Sequence, residues 1–318
     1  QDGARRPCDG GILRTVAPGR GLLEADGEVL VENTFSSVDP YMRGRMSDAP
    51  SYAKPVDIGQ VMEGRTVSEV VASNLNGYAP GNIVLSPSGW QTHAISQGKL
   101  TRKIDPSLAP VSTALGVLGM PGMTAYVGLS EIGQPKAGET VVVSAASGGV
   151  GQIAGQLARL RGARVVGVAG KEAKRRFVQE ELGFDACVSH LSPSLAEDLA
   201  AACPDGVDIY FENVGGAVFE AVLPLFNRGA RMTICGLIAH YGDPAGADAR
   251  AALMRRGAEV FAERGVTVRD LFVGDFVAEH QARFLEEMSG WVRSGEVVYR
   301  EDVRQGLEAV PQGFAEML

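Results

Sequence analysis

The run Thr140–Ser144 (TVVVS) passes without a break into Ser144-Ala145-Ala146-Ser147-Gly148-Gly149-Val150-Gly151. An apolar run with no polar alternation reads as a strand covered on both faces, which belongs to a parallel sheet flanked by helices. Beyond the glycines, Val150, Ile153, Ala154, Leu157 and Leu160 share one helical face, and Gly162 is a stop signal. A buried strand, a glycine turn and a helix in direct succession form the setting in which a Gly-rich loop binds a dinucleotide. Glycines let the backbone approach a pyrophosphate, which rests on the unpaired N–H groups of the helix start. The spacing here is A-x-x-G-x-x-G. A Walker A loop does not fit, because Gly170-Lys171 is followed by Glu172 and position 165 is Val.

The alternation continues downstream. Arg164–Ala169 reads as a strand, Lys171–Leu182 as a charged helix ending at Gly183, and Val207–Phe211 as a strand followed by helix to about Phe226. Ala230–Cys235 reads as another strand and Val266–Val268 as a last one. Strands separated by helices imply βαβ units. Before residue 112 the runs are short and punctuated: Glu28–Asn33, Val67–Ala72, Asn82–Leu85 and Trp90–Ile95, with a turn at Asn76-Gly77. That pattern predicts an all-β unit, a barrel. The expected organisation is a β domain over 1–114, a doubly wound domain over 115–283, and a return segment over 284–318 packing on the first domain. Gly242–Asp248 reads as a surface loop.

The choice of dinucleotide turns on the end of the second strand. An NAD site places a carboxylate there to bond the ribose 2′-OH. This chain has Ala169-Gly170-Lys171, then Lys174, Arg175 and Arg176. Cations attract a 2′-phosphate and a carboxylate repels it, so NADPH is the expected cofactor, with Glu172 the opposing feature.

Charge and cysteines narrow the function classes. Lys and Arg number 30 against 38 Asp and Glu, a net charge of −8 that does not suit a general nucleic-acid binder. Cys8, Cys187, Cys203 and Cys235 stand singly, which suggests neither a zinc knuckle nor a disulfide framework and suits the cytoplasm. No apolar run reaches 18 residues and the start carries no apolar leader, so neither a membrane span nor a signal peptide is expected. His93, His190, His240 and His280 lack ligand spacing, and no G-x-S-x-G or H-E-x-x-H occurs. No metal is expected.

Three longer motifs carry a resemblance: Val38-Asp39-Pro40-Tyr41-Met42-Arg43-Gly44-Arg45-Met46, Leu118-Gly119-Met120-Pro121-Gly122-Met123-Thr124-Ala125-Tyr126, and Phe211-Glu212-Asn213-Val214-Gly215-Gly216. In order and spacing the chain resembles the zinc-independent medium-chain dehydrogenase/reductases, in the branch of leukotriene hydroxydehydrogenase, prostaglandin reductase and alkenal double-bond reductase. The resemblance implies a GroES-like β-barrel domain plus a Rossmann domain with the active site in the cleft between them. It also implies NADPH-dependent reduction of the C=C bond of α,β-unsaturated ketones or aldehydes, and a homodimer. Carried over by position, Gly148, Gly149, Val150 and Gly151 would hold the pyrophosphate and Lys174 the 2′-phosphate. His190 stands where relatives often have a Tyr near that phosphate. Asn213 would lie near the adenosine-side or bridging part of the cofactor, and Cys235, Gly236, Leu237, Ile238 and Tyr241 would line the nicotinamide ribose and substrate mouth. Val266 and Val268 would pass the nicotinamide. Tyr41 and Tyr241 match substrate-facing tyrosines, and loops near Tyr52, Met120 and Tyr241 would set cleft size. Zinc-dependent cousins carry Gly-His-Glu where this chain has Gly59-Gln60-Val61-Met62-Glu63-Gly64. Relatives usually continue past Met317-Leu318 with a Gly-Asn-x-Gly-Lys segment.

Reducing a conjugated C=C puts hydride on the β-carbon and a proton on the α-carbon, and negative charge builds on the carbonyl oxygen. A phenol suits that oxygen as a donor, with Tyr241 the first candidate and Tyr41 the second. The competing readings are a quinone oxidoreductase and a non-catalytic NADPH sensor.

Overall fold

The computed structural model describes residues 23, 25–48, 53–98, 101–242 and 248–318. The chain divides into two compact units, Gln1–Leu115 with Asp302–Leu318, and Gly116–Glu301.

In the first unit, β1 (Val29–Ser36), β2 (Thr66–Ser73), β3 (Ile83–Ser86), β4 (His93–Ser96) and β5 (Arg102–Lys103) form an antiparallel sheet in the order β4-β1-β2-β3-β5. The first four coincide with the expected runs. The expected barrel is seen, among the described residues, as this five-stranded sheet. Register shifts at Leu30/Val31 and Asn33/Phe35 bend β1 against β2. Val29, Val31, Val70 and Val84 close one face. The C-terminal helix Val310–Met317 belongs to this unit, with Phe314 edge-on to Trp90 at 5.7 Å between ring centroids.

The second unit carries a parallel sheet of β6 (Thr140–Val143), β7 (Arg164–Ala169), β8 (Ala186–Ser189), β9 (Val207–Glu212), β10 (Phe226–Ile234) and β11 (Thr267–Asp270). The order is β11-β10-β9-β6-β7-β8. This is the doubly wound arrangement, and its topological switch point lies between β6 and β9. Its helices are α1 (Met120–Val127), α2 (Gly151–Leu160), α3 (Glu172–Arg176), α4 (Leu195–Ala202), α5 (Gly216–Val222), α6 (Ala249–Arg264) and α7 (Val277–Ser294). The charged helix expected over 171–182 is α3 continued by a wider π-type turn, Phe177–Glu181.

Val141, Val142 and Val143 are fully buried, as an unalternating run requires. α2 buries Ile153, Ala154 and Leu157. A Cβ on Gly155 would stand 1.7 Å from Phe184 Cζ, so only glycine lets α2 lie this close to that ring. Leu160 departs from expectation: it closes α2 and is 42% exposed.

The boundary of the return segment also differs from expectation. Residues 284–301 belong to the parallel-sheet unit, and only Asp302–Leu318 joins the antiparallel one. The cause is a set of bonds the sequence pattern does not reveal. Phe284 is fully buried and edge-on to Tyr126, whose hydroxyl donates to Glu287 Oε2 at 2.7 Å. Buried Gln156 donates to Val298 O and accepts from Val298 N–H, both at 2.8 Å. Gln152 makes the same two-way bond with Arg300, at 3.3 and 2.9 Å. Two glutamines on the α2 face thus bind the chain after α7 as a strand would.

Candidate functional site

The carboxyl ends of β6 and β9 meet at the switch point, and the Gly-rich turn begins there. Ala145 takes φ 48° and Gly148 N–H closes back on Ala145 O at 2.9 Å. A Cβ on Gly151 would lie 2.3 Å from that same carbonyl, so this position requires glycine. The N–H groups of Gly149, Val150 and Gly151 bond to nothing among the described residues. They are successive donors at the start of a ten-residue helix, where the macrodipole also favours negative charge. A pyrophosphate fits this donor set. Met120 opens α1 half-exposed, and the next residue, Pro121, has its Cβ 3.7 Å from where a Cβ on Gly149 would stand. The structure therefore brings the Met120 segment beside the turn.

Behind the turn lies a network that sequence reasoning did not assign. Glu212, the last residue of β9, is fully buried. Its carboxyl accepts Ser144 Oγ–H at 2.8 Å, Tyr210 O–H at 2.8 Å and Val214 N–H at 2.7 Å. Asn213 donates its N–H to Ser144 Oγ and its side-chain amide to Ser144 O, both at 2.7 Å. Burial pushes the Glu212 carboxyl above the usual carboxylate range, opposed by the donors around it. Ser144 and Glu212 end adjacent strands, so the network fixes the gap between β6 and β9. The signal for it was an acidic residue closing an apolar strand, a residue type rarely buried unless bonded.

The next loop hangs from the same residues. Cys235 and Gly236 donate their N–H groups to Glu212 O at 2.9 and 3.1 Å, and Ile238 N–H reaches Asn213 O at 3.1 Å. Leu237 is buried in the core. Tyr241 N–H bonds Ile238 O at 3.2 Å, and a Cβ on Gly236 would stand 3.0 Å from the Tyr241 hydroxyl. Asn213, Cys235, Gly236, Ile238 and Tyr241 are therefore assembled in one place. Burial pushes the Cys235 thiol up to about 12, so it stays protonated and is no nucleophile.

Val266 and Val268 are not brought there. β11 runs parallel to β10, with Val268 level with Met232 and Asp270 level with Ile234. Residues 266–268 thus lie at the amino end and pack on the core. The residues of this segment at the carboxyl edge are Leu271, whose N–H bonds Ile234 O at 2.9 Å, and Phe272 and Val273 after it.

At the other side of the edge, β7 and β8 end side by side, Ala169 level with Ser189. His190 N–H bonds Ala169 O at 3.0 Å, and a Cβ on Gly170 would stand 2.8 Å from His190 Nε2. Lys174 projects from α3, exposed, with no ion-pair partner among the described residues. Glu172 is engaged by Arg175 and by Arg176 on its own helix. The carboxylate that argued against a 2′-phosphate is thus neutralised locally.

Tyr41 lies in the antiparallel unit, on a 3-10 segment over Pro40–Met46 that Asp39 and Pro40 initiate. The Asp39 carboxylate accepts Ser37 Oγ–H at 2.7 Å, and the Arg45 guanidinium stands 5.7 Å from the Tyr41 ring centroid. Tyr52 and residues 243–247 lie outside the described residues.

Residues 23–104 match the family described as "N-terminal domain of oxidoreductase", and residues 149–289 the family described as "Zinc-binding dehydrogenase". Among the described residues no three His, Cys, Asp or Glu side chains could share a metal, so these residues do not fit a zinc ion. The NADPH-dependent curcumin reductase of Escherichia coli (strain K12) is 49% identical over 296 residues, 92% of this chain and 85% of its own. Prostaglandin reductase 1 of Bos taurus is 38% identical over 92% of this chain and 86% of its own. The crystal structure of CurA from Vibrio vulnificus in complex with NADPH has a TM-score of 0.85 at 46% identity, covering 92% of this chain and 87% of that one. The chain belongs to the medium-chain dehydrogenase/reductase family, in the branch that holds the prostaglandin and curcumin reductases.

Proposed function

We propose that this chain is an NADPH-dependent reductase of the C=C bond of α,β-unsaturated ketones and aldehydes. The observation that carries the reading is the trio of unpartnered N–H groups at the switch point, on a sheet edge whose second strand ends in cations. Relatives named as NADPH-dependent curcumin reductase and prostaglandin reductase 1 support the same cofactor and reaction. Gly148 to Gly151 hold the pyrophosphate, Lys174 and His190 take the 2′-phosphate, Asn213 lies by the adenosine-side or bridging part of the cofactor, and Cys235 to Ile238 support the nicotinamide half.

When bound, NADPH supplies the hydride for the β-carbon of the substrate. The chain's own groups orient both reactants and meet the charge that builds on the carbonyl oxygen. Tyr241 is the donor to that oxygen: its phenol carries no charge and rests against Gly236, beside the loop that Glu212 and Asn213 hold. Tyr41, on the 3-10 segment Pro40–Met46, is the second candidate for contact with the substrate. We also propose a homodimer in the cytoplasm. The outer edge of β11 pairs with no strand among the described residues, which supports dimerisation, and the singly spaced cysteines support the compartment. Among the described residues no helix is long and apolar enough to cross a membrane.

The test is loss of NADPH absorbance with a short 2-alkenal, an enone and a quinone, with NADH in parallel. Rapid loss with the alkenal or enone, and slow loss with NADH, is expected. NADPH binding without turnover of any acceptor would overturn the reading in favour of a sensor. Sedimentation should give about twice the 33.4 kDa chain mass.

A further inference from the structure

The segment Glu212–Val214 leaves β9 at the switch point, and its two sides are bonded differently. Backbone N–H groups inside a protein need acceptors, and here side chains provide them. Asn213 N–H bonds Ser144 Oγ and Val214 N–H bonds Glu212 Oε1, both at 2.7 Å. The carbonyls of the same three residues all serve the next loop. Glu212 O accepts Cys235 and Gly236 N–H at 2.9 and 3.1 Å, Asn213 O accepts Ile238 N–H at 3.1 Å, and Val214 O accepts Ala239 N–H at 3.1 Å. The loop that ends at Tyr241 therefore hangs from Glu212–Val214, and the N–H groups of Asn213 and Val214 hang from two side chains.

Ser144 follows three fully buried valines and is itself fully buried. A hydroxyl at such a position costs free energy unless it is bonded. Its Oγ is bonded on both sides: it donates to Glu212 Oε1 at 2.8 Å and accepts from Asn213 N–H. The Asn213 side-chain amide adds a bond to Ser144 O at 2.7 Å. Ala145 comes next and opens the glycine turn at φ 48°. That turn has anchors of its own, Ala146 N–H on Val168 O at 3.0 Å and Gly148 N–H on Ala145 O at 2.9 Å. Ser144 thus borders the pyrophosphate turn in sequence and bonds directly to the segment that carries the loop. Its hydroxyl links the two halves of the candidate cofactor site.

We propose that Ser144 is a positioning residue for the reduction: its hydroxyl sets the Cys235–Tyr241 loop in register with the pyrophosphate turn, so that the two halves of the cofactor are held in a fixed relation. The inference rests on the proposed NADPH-dependent reduction. Being fully buried, Ser144 acts through Asn213 and not on a reactant directly. Without the hydroxyl the turn keeps its own bonds, whereas Asn213 N–H loses its acceptor and the loop shifts. A displacement of about 1 Å at a reacting centre costs about a hundredfold in rate.

The experiment measures two dissociation constants by calorimetry. One is for NADP⁺, which spans both halves of the site. The other is for adenosine 2′,5′-bisphosphate, which carries no nicotinamide and ends at the turn. In Ser144→Ala, NADP⁺ should bind about tenfold more weakly and the bisphosphate within about twofold of wild type, so the ratio of the two constants rises about five- to tenfold. With an enone and saturating NADPH, kcat should fall about ten- to a hundredfold. Ser144→Thr keeps the hydroxyl and should return the ratio to near the wild-type value. An unchanged ratio in Ser144→Ala overturns the proposal at whatever level of activity, because a hydroxyl that only supports the core weakens both ligands alike or neither. If the wild type reduces no enone, the reduction reading fails while the binding ratio still decides the role of Ser144. If Ser144→Ala does not fold, Ser144→Cys takes its place. The thiol fills the site but is a weak donor and acceptor, so the ratio should rise, and a wild-type ratio refutes the proposal.

Discussion

The carboxyl edge of the parallel sheet and the Tyr41 cavity of the antiparallel sheet solve the same problem differently. Both hold polar groups away from water. At the edge, Glu212, Ser144, Tyr210 and Asn213 bond one another and leave outward-facing N–H groups. In the cavity of the antiparallel unit, the buried Arg45 guanidinium is paired with Glu63, and the Ser88, Ser86 and Thr66 hydroxyls bond one another. The first arrangement builds a fixed cradle suited to a cofactor common to every turnover. The second leaves a cavity of about 430 Å³ beside Tyr41. Changes at the edge should therefore act on folding and cofactor affinity, and changes in the cavity on which substrate is chosen.

The largest effect should come from Glu212→Ala, which strands two hydroxyls and an N–H in the core. Each orphan costs about 1–3 kcal/mol, so a loss of at least about 3 kcal/mol is expected, read as a large fall in Tm. Val61→Ala, at a half-buried residue of the cavity wall, should lower Tm far less, and equal falls would dissolve the contrast between the two regions. Glu212→Gln adds a pH signature. The folded Glu212 holds its proton more tightly than a free carboxyl. Its contribution to stability is thus present below the ordinary glutamate range and lost as pH rises through its raised folded value. The amide does not titrate, so the stability of Glu212→Gln relative to wild type should rise with pH. A flat difference would show that the carboxyl does not titrate differently on folding.

Next in size is Tyr241→Phe. Loss of one oxyanion donor costs about a hundredfold or more in rate, so kcat for an enone should fall by about that factor with little change in NADPH affinity. Unchanged kcat would remove the hydroxyl from the chemistry and leave the loop a packing role. The position of this residue shows what a sequence can reveal. The strand, turn and helix around Gly148–Gly151 are contiguous, and every local signal there agrees, so that half of the site was legible. The Cys235–Tyr241 loop enters the candidate site through resemblance alone. The Glu212 network was not, because it joins residues nearly 70 positions apart through a hydroxyl that looks ordinary in sequence. The cavity was legible only at Tyr41, since its other walls come from two distant turns. Val266 and Val268 were misplaced for a related reason: which end of a strand meets the site depends on where the strand starts, and strand ends are the least certain element from pattern alone.

Lys174→Ala tests the exposed end of the same edge. A charge-assisted bond to phosphate is worth about 1.5–3 kcal/mol, so NADPH should bind about ten- to a hundredfold more weakly and NADH nearly as before. Because Lys174 is exposed and unpaired among the described residues, Tm should stay within about 1–2 °C of wild type. Fluorescence titration with both cofactors separates the outcomes. Equal weakening would mean that the cation supports the helix and not the 2′-phosphate.

The smallest effect is expected at Leu160. Helical spacing puts it on the same face as Ile153 and Leu157, and a buried leucine changed to a polar residue would be severely destabilising. In the structure α2 has reached its last turn at Leu160, and the side chain has left the sheet behind. What binds α2 to residues 298–300 is a pair of glutamines, Gln152 in its first turn and Gln156 in its middle, not the leucine. Leu160→Gln should therefore shift stability by no more than about 0.5 kcal/mol. Denaturant unfolding of Leu160→Gln beside Gln156→Leu tests the point. The glutamine change should be the costlier, because it orphans the Val298 N–H and carbonyl. The reverse order would mean that the apolar stripe read from the sequence, and not the amide clamp, sets where the parallel-sheet unit ends.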